Sequence, residues 1–172
     1  MRAQPGEREP RPATFERVYE ASVEELWALW TTKDGLEDWF APEGFRVEMH
    51  ALEVRVGGAF VHEMTAVRDD AIAYLASVGR PRSTRVQGWF VEVIPHERLH
   101  IRMTVDFVPG LEPHPIDILV TFASEGARVR MVVTAGPHPD AELTRLAGEG
   151  MTSQLRRFDA VLASRGRQVP RG

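Results

Sequence analysis

Between residues 99 and 106 apolar and polar side chains alternate without a break. Leu99, Ile101, Met103 and Val105 fall to one side, and His100, Arg102, Thr104 and Asp106 to the other. Period two is the geometry of a strand, and unlike faces are those of a sheet that is packed on one side and wet on the other. Ile116, Ile118, Val120 and Phe122 repeat the pattern, as do Val129, Met131 and Val133. Ser124-Glu125-Gly126 between these two runs reads as a hairpin connection that makes the strands neighbours. Further β-rich runs between Gly, Pro and Asn/Asp-type turn signals extend the set, so strands are predicted over 14–20, 45–54, 59–66, 86–94, 99–108, 116–124 and 127–135. Helical spacing appears in three other places. Ser22 and Glu25 form a capping box ahead of Leu26, Trp27, Leu29 and Trp30, and a second short helix covers 33–40, stopped by Pro42. The longest helix is predicted over 140–163 with Asp140 as its N-cap, about 36 Å at 1.5 Å per residue. Its stripe of Leu143, Leu146, Ala147, Met151, Leu155, Phe158 and Leu162 needs an apolar surface, and the sheet's inner face is the one left to supply it. Gly148 and Gly150 interrupt this helix, and close packing, a kink or simple tolerance would each explain them.

Composition narrows the picture. A chain of 172 residues that is 43% hydrophobic suits one domain at 14–163, with a disordered tail at 1–13 and a flexible one at 164–172. The net charge of -4, with basic residues scattered, disfavours nucleic acid as a partner. There is no cysteine, hence no disulfide framework, no thiolate nucleophile and no Cys-ligated zinc. The start of the chain does not read as a signal peptide, and no segment nears the roughly 20 apolar residues of a membrane span. A cytoplasmic protein, monomeric or homodimeric, is expected.

The order strand, two short helices, further strands and a long last helix is that of the helix-grip fold, and several blocks of residues are familiar. Val23-Glu24-Glu25-Leu26-Trp27 follows the first strand, and Trp39-Phe40-Ala41-Pro42-Glu43-Gly44-Phe45 follows the second helix. Arg55-Val56-Gly57-Gly58, Gly88-Trp89-Phe90-Val91-Glu92-Val93-Ile94-Pro95 and Glu97-Arg98-Leu99 come in the matching order. Through them the chain resembles the START-like SRPBCC superfamily, and within it the homologues of the heat-shock-protein-ninety ATPase activator. The resemblance implies an α+β helix-grip fold, in which a curved antiparallel sheet wraps around the long C-terminal helix and leaves a cavity or groove between them. Where that family usually has Gly-Trp in the last helix, this chain has Gly150-Met151, and a flexible methionine reshapes or enlarges a pocket that tryptophan would fill.

On that fold the inward positions predict a cavity lined by Phe60, His62, Met64, Trp89, Glu92, Met103, Val105, Val120, Met131, Val133, Met151, Leu155 and Phe158. The alternative for each apolar member is a filled core. His62 stands among apolar neighbours, where an imidazole is costly unless hydrogen-bonded, so it is either a ligand anchor or a satisfied structural histidine. Glu92 has the same two readings. The six histidines lack metal-site spacing, and no metal or cofactor is expected. Serine-nucleophile, P-loop and dinucleotide motifs are absent, so nothing demands catalysis, and any chemistry would be acid–base work in the pocket. The expected partner is a small apolar ligand, lipid-like or aromatic. The alternatives are a chaperone or other protein, as in a co-chaperone-like module, and a cyclase-like pocket enzyme. Residues 69–85 carry a short capped helical pattern, with Asp69 or Asp70 as cap, that is too short to stand alone. Its Ile72, Leu75 and Val78 side must dock on the domain, as a lid over the cavity mouth or as a permanent cover on a sheet edge.

Overall fold

The computed structural model describes residues 9–166. The chain opens with β1 (Ala13–Tyr19), then α1 (Val23–Thr31) and α2 (Lys33–Trp39). β2 (Phe45–Leu52) and β3 (Phe60–Ala66) follow, then α3 (Asp69–Ser77). β4 (Ser83–Val86), β5 (Gly88–Ile94), β6 (Arg98–Val105), β7 (His114–Glu125) and β8 (Arg128–Ala135) lead to α4 (Ala141–Gly166). This is the α+β helix-grip arrangement, with its two short helices after β1 and its long last helix. The tail expectations for residues 1–8 and 167–172 lie outside the described residues. β1 starts at Ala13, and α4 continues to Gly166, past the expected end at residue 163.

Local chemistry accounts for the helix starts. The Ser22 N–H donates to Glu25 Oε2 at 2.8 Å while the Glu25 N–H donates to Ser22 Oγ at 3.2 Å, so both halves of the capping box are made. Asp140 Oδ1 accepts from the Leu143 N–H at 2.8 Å, the N-cap contact expected of it. α3 begins differently: neither Asp69 nor Asp70 is its cap. Arg68 holds that position without a side-chain cap bond, and its guanidinium instead joins Asp70 at 2.5 Å to Glu43 at 2.8 Å. The start of α3 is thereby tied to the loop before β2.

The sheet is not one surface. β1-β8-β7-β6-β5 form a five-stranded antiparallel sheet and β2-β3-β4 a three-stranded one. The strand expected over 86–94 is β5, and β4 is an unexpected strand in the other sheet that shares only Val86 with that range and otherwise falls in the 69–85 stretch read as a helical segment, which makes eight strands where seven were expected. Gly88 explains the passage from one to the other. A Cβ there would lie 2.8 Å from the Arg102 carbonyl oxygen and 2.9 Å from that of Phe60, so glycine alone admits the approach of the two sheets. Beside it the Gly57 N–H donates to the Phe90 carbonyl at 2.8 Å and the Phe90 N–H to the Gly58 carbonyl at 3.0 Å, stitching the sheets together.

The core concentrates at one end of α4. Phe158 has no exposed surface and stands 5.0 Å from Trp39, 5.6 Å from Tyr19 and 6.4 Å from Trp30, ring centre to ring centre. The two indoles also meet edge to face at 4.6 Å. The buried Trp39 N–H finds the Leu29 carbonyl at 2.7 Å, so its polar end costs nothing. Phe158 therefore packs into an aromatic cluster built mostly by α1 and α2, rather than on the sheet alone.

Candidate functional site

Side-chain size along α4 decides where space remains. Toward its C-terminal half Leu155 and Phe158 fill the interior completely. In its N-terminal half the inward positions are Ala147, Gly150 and Met151, and a Cβ built on Gly150 would meet nothing within 4 Å. Gly148 is equally free, so close packing is not the reason for either glycine. The result is a cavity of about 250 Å³ between this half of α4, the β6–β8 end of the large sheet and the face of β3 and β4. For scale, an apolar cavity of roughly 150 Å³ takes up benzene.

Of the lining expected from sequence, His62, Met64, Met103, Val105 and Met151 border this cavity. Phe60, Val120, Met131, Val133, Leu155 and Phe158 do not: they are packed into the filled core. Trp89 is a correction. It is 39% exposed, because β5 pairs Gly88 with inward Met103 and Phe90 with inward Ile101, leaving Trp89 opposite outward Arg102. Glu92 is a second, since a bulge after Phe90 interrupts the alternation and Glu92 forms an ion pair with Arg98 of the next strand instead of entering the cavity. In α3, Leu75 lines the cavity and Ile72 packs on the small cluster of Ala66, Ala71 and Leu75. Val78, 40% exposed, does not belong to that docking face, because the helix ends at Ser77 and Val78 stands beyond its last turn.

The structure also brings in residues that sequence reasoning missed. Arg80, Phe107 and His138 border the cavity. His138 stacks edge-on against buried His114, which β7 supplies, with His114 Nε2 and His138 Nδ1 2.8 Å apart. No motif joins residues 24 positions apart, so only the fold could pair them. The protons of the pair follow from its partners. His114 Nδ1 faces the Glu112 carbonyl at 3.1 Å, which can only accept, so Nδ1 carries the hydrogen and neutral His114 offers Nε2 as acceptor. His138 then donates from Nδ1, and its Nε2 is left as an acceptor without a hydrogen-bond partner among the described residues. Burial, and after it the charge His114 would carry, push the His138 pKa down to about 4.

Two other polar groups are under-used. His62 lies against the rings of Phe40 at 5.3 Å and Phe60 at 5.8 Å, and its buried Nδ1 has no hydrogen-bond partner. Desolvation lowers its pKa to about 4, so it is neutral at physiological pH. The Arg80 guanidinium sits 4.8 Å over the Phe107 ring, with its Nε buried and unbonded. Burial pushes this guanidinium below its ordinary pKa, and no carboxylate among the described residues pairs with it. By contrast Gln154, also on the cavity wall, donates to the Phe40 carbonyl and is satisfied.

On the outside of the small sheet Glu48, His50 and Glu63 bring three potential metal-ligand atoms within 4.8 Å of one another. Arg85 lies 3.4 Å from His50 and supplies positive charge there already, while the His50 hydrogen bond is the main cause lowering the Glu63 pKa. This cross-strand cluster was invisible to a search for sequence spacing, and none of its residues lines the cavity. Among the described residues no helix is long and apolar enough to cross a membrane.

Comparison with protein families matches residues 20–163 to the one described as "Activator of Hsp90 ATPase homolog 1-like protein". A search of the curated proteins returns no match. Among solved structures, a Chromobacterium violaceum protein is 24% identical with a TM-score of 0.71, over 88% of this chain and 96% of that one. The AHSA1 protein of Silicibacter pomeroyi is 21% identical with a TM-score of 0.70, over 90% of this chain and 99% of its own. A Staphylococcus epidermidis protein at 14% identity still covers 98% of both chains with a TM-score of 0.68. At these identities the likeness is one of fold.

Proposed function

The chain belongs to the AHSA1 family, the activator of Hsp90 ATPase homolog 1-like proteins, and on that scaffold we propose that it binds a small, largely apolar molecule between α4 and the sheets. One observation carries the reading: an apolar cavity of about 250 Å³ whose wall includes a buried imidazole without a partner for Nδ1. A filled core would not keep such space, and an orphaned polar atom costs about 1–3 kcal/mol that a ligand could recover. An apolar wall with a few convergent polar groups is the usual make-up of small-molecule sites. Among the described residues no pair of charged acid and base groups lines the cavity, which favours binding over catalysis. No observation on the described residues points to the ATPase activation named in the family's description, so the cavity reading stands ahead of it.

The test is titration with N-phenyl-1-naphthylamine, a neutral apolar dye that brightens on leaving water. Dye fluorescence should rise saturably with the wild-type protein, and Met151→Trp, which puts an indole into the cavity, should weaken binding by roughly tenfold or more while the far-ultraviolet spectrum stays native. Unaltered dye binding in the folded variant would count against the cavity as the binding place.

A further inference from the structure

Among the described residues the cavity wall contains one cation, Arg80, and its surroundings say what it is for. Arg80 follows α3 directly, its N–H bonded to the Leu75 carbonyl at 2.8 Å, so the short helix fixes where its side chain starts. Phe107 then supports the guanidinium from below at 4.8 Å. Among the described residues eight arginines form ion pairs and Arg80 is not one of them, and of those left over Arg80 is the arginine that lines the cavity with a buried, unbonded Nε. A partly buried guanidinium gives up hydration, and a planar carboxylate, meeting its fork with two parallel hydrogen bonds, is the group that best replaces it. Arg80 and Phe107 are half-buried, whereas His62, Met103 and Met151 are buried, so the cation stands at the open rim and the apolar depth lies behind it. That polarity is the shape of an amphiphile with its charged head at the mouth.

Resting on the reading of the cavity as a ligand site, we propose that its ligand is an apolar carboxylic acid, with the carboxylate held by Arg80 at the rim and the hydrocarbon or aromatic body directed toward Met103 and Met151. A single guanidinium matches one negative charge. A phosphate monoester would bring nearly two into a wall whose imidazoles are neutral, and is disfavoured. The neutral His62 adds a hydrogen-bonding site in the interior for a hydroxyl or carbonyl on the ligand's body.

The experiment compares 2-naphthoate with its neutral counterpart 2-naphthalenemethanol, titrated against the full chain by calorimetry at neutral pH. The expected result is that the acid binds roughly tenfold or more tighter than the alcohol, and that Arg80→Gln brings the ratio close to one, with Arg80→Lys in between. Because the acid-to-alcohol ratio is read within each protein, a general weakening of the variant does not imitate the effect. Equal affinities in the wild type, or a ratio unmoved by Arg80→Gln, would overturn the carboxylate anchor and leave the cavity standing as a neutral site. Binding of neither compound would overturn the anchor, and if the neutral dye also failed to bind, the cavity reading would fall with it.

Discussion

Parity along a strand assigns a side chain to a face, but the partner strand decides which face is the inner one. Trp89 shows this: hydrophobicity places it inward, while its pairing opposite Arg102 puts it outside and gives the core to Phe90. His62 shows the opposite case, in which the alternation with Phe60 was sufficient to locate a buried imidazole. Its burial has a consequence for acid stability. The folded protein holds His62 neutral down to about pH 4, whereas the unfolded chain takes up the proton near 6.5. The unfolded state therefore binds more protons across that window, and stability, fully present above pH 6.5, is lost as the pH falls toward 4. His62→Phe should flatten that decline by up to about 3 kcal/mol, measured as the urea-unfolding free energy at successive pH values. The buried His138, its pKa likewise lowered to about 4, contributes with the same sign, so some slope should remain. A decline as steep in His62→Phe as in the wild type would remove His62 from the account.

At the scale of elements, α3 stands apart from its neighbours. It buries only Ala71 and Leu75, and its first turn is held by the exposed ion pairs of Arg68. Solvent screening leaves such exposed pairs too weak to hold the helix as firmly as the strands around it. Leu75 borders the cavity, and Arg80 follows five residues later, so opening of α3 would open the mouth. Amide exchange in residues 69–79 should be faster than in β7 and β8 and should slow when 2-naphthoate is bound. Exchange as slow as in those strands, and indifferent to the ligand, would make α3 a fixed cover. α4 carries the other lesson at this scale. One continuous apolar stripe serves two purposes, closing the aromatic core at Leu155 and Phe158 and roofing a cavity at Ala147, Gly150 and Met151.

For the whole molecule, the two sheets and α4 form a frame that would be more stable if it were better filled. Gly150 lies inside a helix, where alanine is favoured by about 1 kcal/mol, and there is open space for the added methyl group. Gly150→Ala should accordingly raise the unfolding free energy by about 1 kcal/mol, read from the denaturation midpoint, while weakening the neutral dye. A gain in stability without any change in dye binding would show that the space beside Gly150 is not used by the ligand.

The sequence by itself determined the elements and their order. Alternation and β-rich runs between turn signals marked seven of the eight strands, the Ser22–Glu25 box and Asp140 marked two helix starts, and five short blocks in order marked the family. These signals are local, because alternation, capping and turn chemistry act over a few neighbouring residues. What it left open was everything set by distances between elements. The passage of the chain from β4 in the small sheet to β5 in the large one at Gly88 depends on two carbonyls from β3 and β6, and the meeting of His114 with His138 depends on β7 and the start of α4 lying side by side. Whether an inward methionine fills a core or borders a cavity depends on the volume of the side chain facing it: Met131 meets Trp30 and is enclosed, while Met151 stands beside Gly150 and is not. Nothing in the sequence pattern singles out Arg80. Only the packing of its helix against the cavity, with Phe107 beneath the guanidinium, made it a candidate for binding.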